Sequence, residues 1–371
     1  MKKIALLFLL FFVFFSCKIQ DSKKQTLVRF KIGSIDKVEG VGFFDINKTV
    51  LYYSNGILYP FLDCYTVLQN NENMTVINTK GEEIFQYKTD PIMTWSYSEG
   101  YFSSYWEHDG VDVYNTKGKI VNINTSRPVK NGYYVNYNSH NGNMYYVTPK
   151  GQFLKNKNED IYYSEYCGDF TDGYAIVRDD SFYGVINLFA EEIIEKKFSF
   201  IENLKYGYAT ASIKGTKDEY KNKNNPKYGL INMKGDWVIE PEYYEIKAIS
   251  KEEAVLKTTP IENEENCGWG IINLENKKIR NLDPKIYLRS DFETGNIFFE
   301  NEAIFSYSDK MNKLGIINSE GEILLNAICE KIEPNPDNGY WQVLIDNRWM
   351  LFKAEEGIIN PEEYLDFSKI K

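Results

Sequence analysis

The side chains that carry most enzyme chemistry are sparse in this chain. It holds two histidines, His108 and His140, and five cysteines, at 17, 64, 167, 267 and 329. Two isolated imidazoles 32 residues apart read as surface or turn residues, and cysteines 103, 100 and 62 residues apart after Cys64 show no clustered framework for zinc or for a set of staples. Four thiols allow three pairings, and buried thiols are as consistent with the spacing as disulfides. Asp169 with Asp172, and Asp179 with Asp180, could be drawn as a hydrolase's paired carboxylates, but 53 acidic residues make any such spacing easy to find. No G-x-S-x-G, H-E-x-x-H or phosphate-cradling glycine loop occurs. The residues therefore assign no catalytic group, no metal ligands and no cofactor.

The first cysteine has a different context. Residues 1–16, "MKKIALLFLLFFVFFS", carry two lysines and then an unbroken apolar run from Ile4 to Phe15, which is the pattern of an export signal. A run of twelve is shorter than the roughly 20 residues that cross a bilayer. Ser16 followed by Cys17 resembles the lipobox of bacterial lipoproteins, although Phe14 and Phe15 depart from its usual Leu and small residue. The resemblance implies lipidation at Cys17, a tether over 17–25 and a repeat domain over 26–371. The expected address is the cell envelope, lipid-anchored, at the outer membrane or cell surface rather than the inner membrane. Ordinary signal cleavage, with Cys17 incidental, is the competing reading. Removal of the signal leaves 41 basic side chains against 53 acidic ones, a net charge of −12. Such a surface repels phosphate backbones, so nucleic acid is not an expected partner.

The elements that would position any site are strands. Aromatic residues make up 16% of the chain, and no long segment shows apolar residues at helical spacing with caps, so the fold class is all-β. The stretch "YGLINMKGDWVIEPEYYEI" recurs, with anchor residues at Asp45, Asn78, Asn115, Thr148, Asn187, Asn232, Asn273, Asn318 and Lys353, 33 to 45 residues apart. In "INMKGD" the Asn side chain can bond the backbone two residues on, and Gly235 supplies the positive φ that closes a bulged hairpin. Copies 187 and 273 have Ala190 and Asn276 instead of glycine, which predicts looser or longer turns. A second element, such as "TDGYAIVR" at 171, lies between hairpins, giving about four short strands per unit. Units of this kind point to a closed β-propeller-like ring of eight to nine repeats, with an open β-solenoid or superhelix as the alternative. The arms "YGLIN" and "WVIEP" lack strict alternation, which predicts burial on both faces. The N-terminal "TLVRFKIG" is placed to complete the last blade.

The chain resembles the WG-repeat family. Trp269-Gly270 matches the eponymous pair, Tyr228-Gly229 and Tyr183-Gly184 its common variant, Pro241 and Tyr244 the downstream positions, and "FTDGYAIV" at 170 the second half. The resemblance spans about residues 40 to 360, with the pair lost near 76, 113 and 350. It implies an exported β-repeat module with no assigned activity.

Loop length is the only positional hint about function. Two adjacent repeats carry insertions at one equivalent connection, "IKGTKDEYKNKNNPK" at 213 to 227 and "KTTPIENEENCG" at 257 to 268. Equivalent insertions fall on one face, often the binding face. Lys217, Tyr220, Lys223, Glu262, Glu264 and Trp269 are thus the candidate binding rim, although Asn/Lys/Glu-rich loops are also simply tolerated by repeat folds. The reading is a lipid-anchored scaffold for a protein or glycan, not an enzyme, with its oligomeric state open. The alternative is a glycan-processing hydrolase with carboxylates in a central channel.

Overall fold

The structure, a computed structural model, describes residues 27–365 apart from 35, 46, 63, 89–91, 99, 107–109, 122–126, 214–226, 260–266, 291–295 and 335. Cys17 and the signal lie outside the described residues, as do five of the six rim candidates and His108.

Among the described residues nine antiparallel sheets follow one another. Blade 6 shows the pattern: Phe200–Lys205, Tyr208–Ser212, Tyr228–Asn232 and Trp237–Tyr243 pair in chain order. The recurrent hairpin therefore closes a blade, and the second element forms the strand before it. Blade 1 has three strands, Val28–Gly33, Val38–Phe44 and Val50–Ser54, with the Asp45 turn between the last two, so they occupy positions two to four. In blade 4 the fourth strand is interrupted. It leaves the sheet after Phe153 pairs with Val147, makes an extra Asn156 turn, and returns where Tyr163 pairs with Tyr145.

Six of the nine anchors make the expected side-chain bond two residues on. The Asn232 side-chain oxygen accepts from the backbone N–H of Lys234 at 2.8 Å and of Asp236 at 3.1 Å. Its backbone carbonyl accepts from Gly235 at 3.0 Å, and Gly235 sits at φ +80. Asp45, Asn78, Asn115, Asn187 and Asn273 make the same side-chain bond two residues on. At 78, 187, 232 and 318 the amide also donates to an acidic residue four positions later, which closes the turn from the outside.

One expectation about these turns is corrected. The Asn187 turn is neither looser nor longer, since Ala190 enters the left-handed region at φ 55 and donates to the Asn187 carbonyl at 3.0 Å as Gly235 does to Asn232. The Asn273 turn is longer by one residue, with Lys277 rather than Asn276 at positive φ. A left-handed residue with a Cβ costs about 1–2 kcal/mol, of which glycine's extra chain entropy gives part back. Ala190→Gly is therefore expected to stabilise the protein by about 0.5–1 kcal/mol, read as a higher denaturant midpoint.

The pair before the turn also has a physical reason. At Gly184, Gly229 and Gly315 the fourth strand shifts register, with bulges between Tyr183 and Val185, Tyr228 and Leu230, and Leu314 and Ile316. The bulge brings the fourth strand's backbone over the glycine. A Cβ there would lie 2.6, 2.4 and 2.5 Å from the carbonyl oxygens of Ile194, Ile239 and Leu325. Trp269-Gly270 is different: its strand pairs with Ile279–Asn281 without a shift.

Burial differs between the two hairpin arms. The third strand of blade 6 is buried through its middle, as the lack of alternation predicts, but the fourth alternates and exposes Glu240. Fourth strands lie on the outer circumference, where one face meets water. First strands lie nearer the axis, and those of blades 6 and 7 touch each other.

Nine apolar clusters fill the seams between consecutive blades, and the ninth joins blade 9 to blade 1. In that ninth seam Phe30 and Phe44 pack with Tyr340, Leu351 and Ile359. The ring is closed, and the open superhelix is ruled out. Nine blades exceed the usual four to about eight.

The manner of closure differs from expectation. Val28–Gly33 does not complete the last blade, because Lys331–Ile332, Trp341–Ile345, Arg348–Lys353 and Gly357–Ile359 already fill its four positions. The N-terminal strand pairs with Val38–Phe44 instead and meets blade 9 face on. Charged contacts reinforce this seam: Arg29 to Asp337 at 2.7 Å, Lys31 to Glu333 at 2.9 Å, and Lys48 to Glu356 at 2.8 Å. Asn338 also donates to the Leu27 carbonyl at 2.8 Å.

Acid should weaken the closure. Burial pushes the Glu333 carboxyl up, but Lys31 and Lys331 outweigh it and hold it below the usual range; hydrogen bonds from Lys48 and Tyr340 do the same for Glu356. A carboxyl whose folded pKa is depressed contributes stability above its unfolded pKa, and that contribution is lost as pH falls through the folded value. Amide exchange of Val28–Gly33 is thus expected to accelerate, beyond the intrinsic pH trend, as pH falls below the unfolded carboxylate pKa. Glu333→Gln should remove part of this acid response.

Candidate functional site

The two insertions join second to third strands in adjacent blades, so both emerge from the same face of the ring: residues 213–227 in blade 6 and 258–268 in blade 7. Hydrogen bonding pins the base of the second. The Thr258 N–H donates to the Gly268 carbonyl at 2.9 Å and the Thr258 hydroxyl to the same oxygen at 3.0 Å, while the Cys267 N–H donates to the Pro284 carbonyl at 2.9 Å.

Beneath the insertions runs a line of lysines and rings across blades 6 to 8. Lys227 stands 3.2 Å from the centre of the Tyr244 ring. The Tyr244 N–H donates to the Lys257 carbonyl at 3.0 Å, which ties the start of blade 7 to its second strand. Lys257 ends that strand and is the register partner of both Glu245 and Trp269. Its ammonium lies 5.4 Å from the Trp269 ring and 5.2 Å from the Tyr287 ring of blade 8. The side chain is 3% exposed, and burial pushes its pKa down.

Among the rim candidates, Lys217, Tyr220, Lys223, Glu262 and Glu264 lie outside the described residues. Trp269 is at the rim end of its strand, but its ring is buried in the seam between blades 7 and 8 at 4% exposure. Lys227, Lys257 and Tyr287 were not singled out by the sequence, and Tyr244 only as a position of the repeat pattern. Only the position of Lys227 and Lys257 beside the insertions could have suggested them.

Of the carboxylates drawn as hydrolase pairs, Asp169 and Asp179 are engaged with cations. Asp179 pairs with Lys196 at 2.7 Å and accepts from the Glu165 N–H and the Ser164 hydroxyl. Burial acts to raise its pKa, yet these partners prevail and hold it below the usual range, the opposite of what a general acid needs. Asp169 lies 3.4 Å from Lys130 and 3.8 Å from Arg127, and Asp172 and Asp180 are left-handed turn residues. His140 lies in an exposed turn. Cys64, Cys167, Cys267 and Cys329 are thiols in four different blades, and burial pushes those of Cys167 and Cys329 up to about 12. Among the described residues no group of three or more His, Cys, Asp or Glu is placed to hold a metal ion, and no helix is long and apolar enough to cross a membrane.

These features define a nine-bladed propeller with an enlarged loop rim on one face. Three stretches, 183–216, 228–253 and 315–349, match the model of the WG containing repeat. They hold the three glycines over which the fourth strand bulges, whereas the regular Trp269-Gly270 copy lies outside them. Among solved structures, the chain is similar to a eukaryotic initiation factor at 11% identity, with 90% of this chain and 95% of that one covered and a TM-score of 0.53, a likeness of fold alone. BamB from Moraxella catarrhalis is a more distant match, at 8% identity, 81% and 94% coverage and a TM-score of 0.42. No curated protein matches the sequence.

Proposed function

We propose that the chain is an exported propeller, anchored to a membrane through lipid on Cys17, that acts as a binding scaffold and holds a protein or glycan on its loop rim. The observation that carries this reading is the pair of insertions on one face of adjacent blades, emerging above the cation and ring line of Lys227, Tyr244, Lys257, Trp269 and Tyr287. A rigid ring that presents long connections from one edge is a common arrangement for binding. The Lys2-Lys3 and Ile4 to Phe15 signal followed by Ser16-Cys17 supports the address. Several acyl chains would hold the protein firmly where one is marginal.

Two measurements test the proposal. Mass spectrometry of the mature N-terminus should find an acylated Cys17, and an unmodified chain beginning after residue 17 would remove the anchor. A photo-crosslinking residue at Thr259, on the loop rim, should trap a partner in the native envelope, while one at Lys234, on the turn face, should not. Equal trapping at both positions would count against the rim.

A further inference from the structure

The chain enters the ring on the face away from the insertions. Val28 pairs with Phe44, the residue before the Asp45 turn, and the Leu27 carbonyl accepts from Asn338 in the tight turn between the first two strands of blade 9. Both turns belong to the turn face, whereas residues 213–227 and 258–268 leave from the opposite one. Leu27 lies ten residues after Cys17, a stretch that spans at most about 35 Å when fully extended. The six-residue strands of a blade make a wall about 20 Å tall. A tether that ran back past this wall, to a membrane on the rim side, would spend more than half its reach on the way.

The turn tips differ in character around the ring. The residue two beyond each anchor is exposed, and it is Lys80, Lys117, Lys150, Phe189 and Lys234 in blades 2 to 6 but Glu275, Glu320 and Glu355 in blades 7 to 9. Phe189 is 74% exposed, more than any other large apolar side chain among the described residues. The Asn187 side chain accepts from its backbone N–H at 2.9 Å, so the ring is presented from a fixed turn. The acids in these five turns, Glu82, Glu191 and Asp236, accept from their own anchor amides, and the lysines outnumber them once Lys119 is counted. Surface charges act over about 8 Å at physiological salt, so at a membrane the sign of these tips counts for more than the net charge of the whole chain.

We propose that the turn face of blades 2 to 6 rests on the phospholipid bilayer that the Cys17 anchor enters, with Phe189 in the interface and Lys80, Lys117, Lys150 and Lys234 over anionic headgroups. Aromatic rings favour the boundary between headgroups and acyl chains, and lysines close to an anionic surface add attraction. The tether at blade 1 and Phe189 at blade 5 stand on opposite sides of the ring, so together they set its tilt where either alone would leave it free. The insertions then point away from the bilayer, toward what the rim holds. The inference rests on the lipid-anchor reading and names the side of the ring that meets the membrane.

The test uses the acylated mature chain in vesicles of phosphatidylcholine and phosphatidylglycerol that carry a nitroxide on the headgroup. A fluorophore attached through an unnatural residue at Lys150 should be quenched strongly, and one at His140, in the exposed rim turn of the same blade, weakly. Equal quenching, or stronger quenching at His140, would overturn the orientation. The same chain carrying Cys17→Ser tests the face without the anchor: it should float with these vesicles and much less with phosphatidylcholine alone. Lys80→Gln, Lys117→Gln, Lys150→Gln and Lys234→Gln together should weaken that binding tenfold or more, and Phe189→Ser several-fold. No flotation, or flotation that ignores these substitutions, would overturn the contact. Failure of the anchor reading is distinct, since it would show as an unmodified Cys17 in the mature chain while flotation still decided the face.

Discussion

Trp341→Ala is expected to destabilise the protein by about 3–5 kcal/mol, a large share of the stability of an ordinary domain. Trp341 is completely buried in the seam between blades 8 and 9, where its ring meets Phe299 edge-on with centroids 5.7 Å apart. Its indole N–H donates to the Glu302 carboxylate, which burial pushes toward the protonated form. Truncation opens a large cavity in a close-packed seam and also takes the donor from a half-buried carboxylate, so two costs act together. Trp341→Phe keeps most of the ring and should lose about half as much or less. Chemical denaturation monitored by circular dichroism checks both. A loss below about 1 kcal/mol for the alanine variant would mean that the seam does not hold the ring as described.

The second large effect is predicted at a residue with no side chain. Gly229→Ala should cost about 3 kcal/mol, near the upper end for overpacking, because the added carbon would meet backbone as well as side chain. The Ile239 carbonyl oxygen is 2.4 Å away, the Trp237 ring 2.7 Å and the Glu240 carbonyl carbon 2.8 Å. Relief requires the fourth strand to abandon its bulge, which would drag Trp237 off Phe198 of the preceding blade, its edge-on partner at 5.6 Å. Gly270→Ala, at the unshifted copy, meets Ile279 at 3.1 Å and the Arg280 carbonyl at 3.2 Å, and should cost visibly less. Equal losses at the two positions would contradict the account of why the pair carries glycine.

Much of this architecture is legible in the sequence, because the repeat writes its geometry locally. The Asn anchors show the period, and Gly235 shows the turn type, since a side chain that bonds two residues on and a positive φ need only neighbouring residues. Ala190 defeats the same logic because the rest of its hairpin fixes the turn and forces the strained residue into it. Closure is less legible. The strand-like "TLVRFKIG" reads as a strand but cannot announce its partner, and the seam that decides it joins Arg29 to Asp337 across the whole chain. The rim is half legible: insertion lengths point to blades 6 and 7, but Lys257, Trp269 and Tyr287 meet only because blade 7 packs against blade 8. No spacing rule ties a lysine at the end of one strand to a tyrosine in the next blade.

The central claim is that the enlarged rim of blades 6 and 7 is where this propeller holds its partner. Its most direct test is quantitative co-purification from the native envelope of the intact chain and of a variant lacking 214–225 and 260–266, with a Lys234→Ser and Asp236→Ser variant on the opposite face as control. The account predicts that the partner recovered with the intact chain and the control is lost from the loop-deleted variant while its melting transition stays in place. Full recovery of the partner by the loop-deleted variant would contradict it.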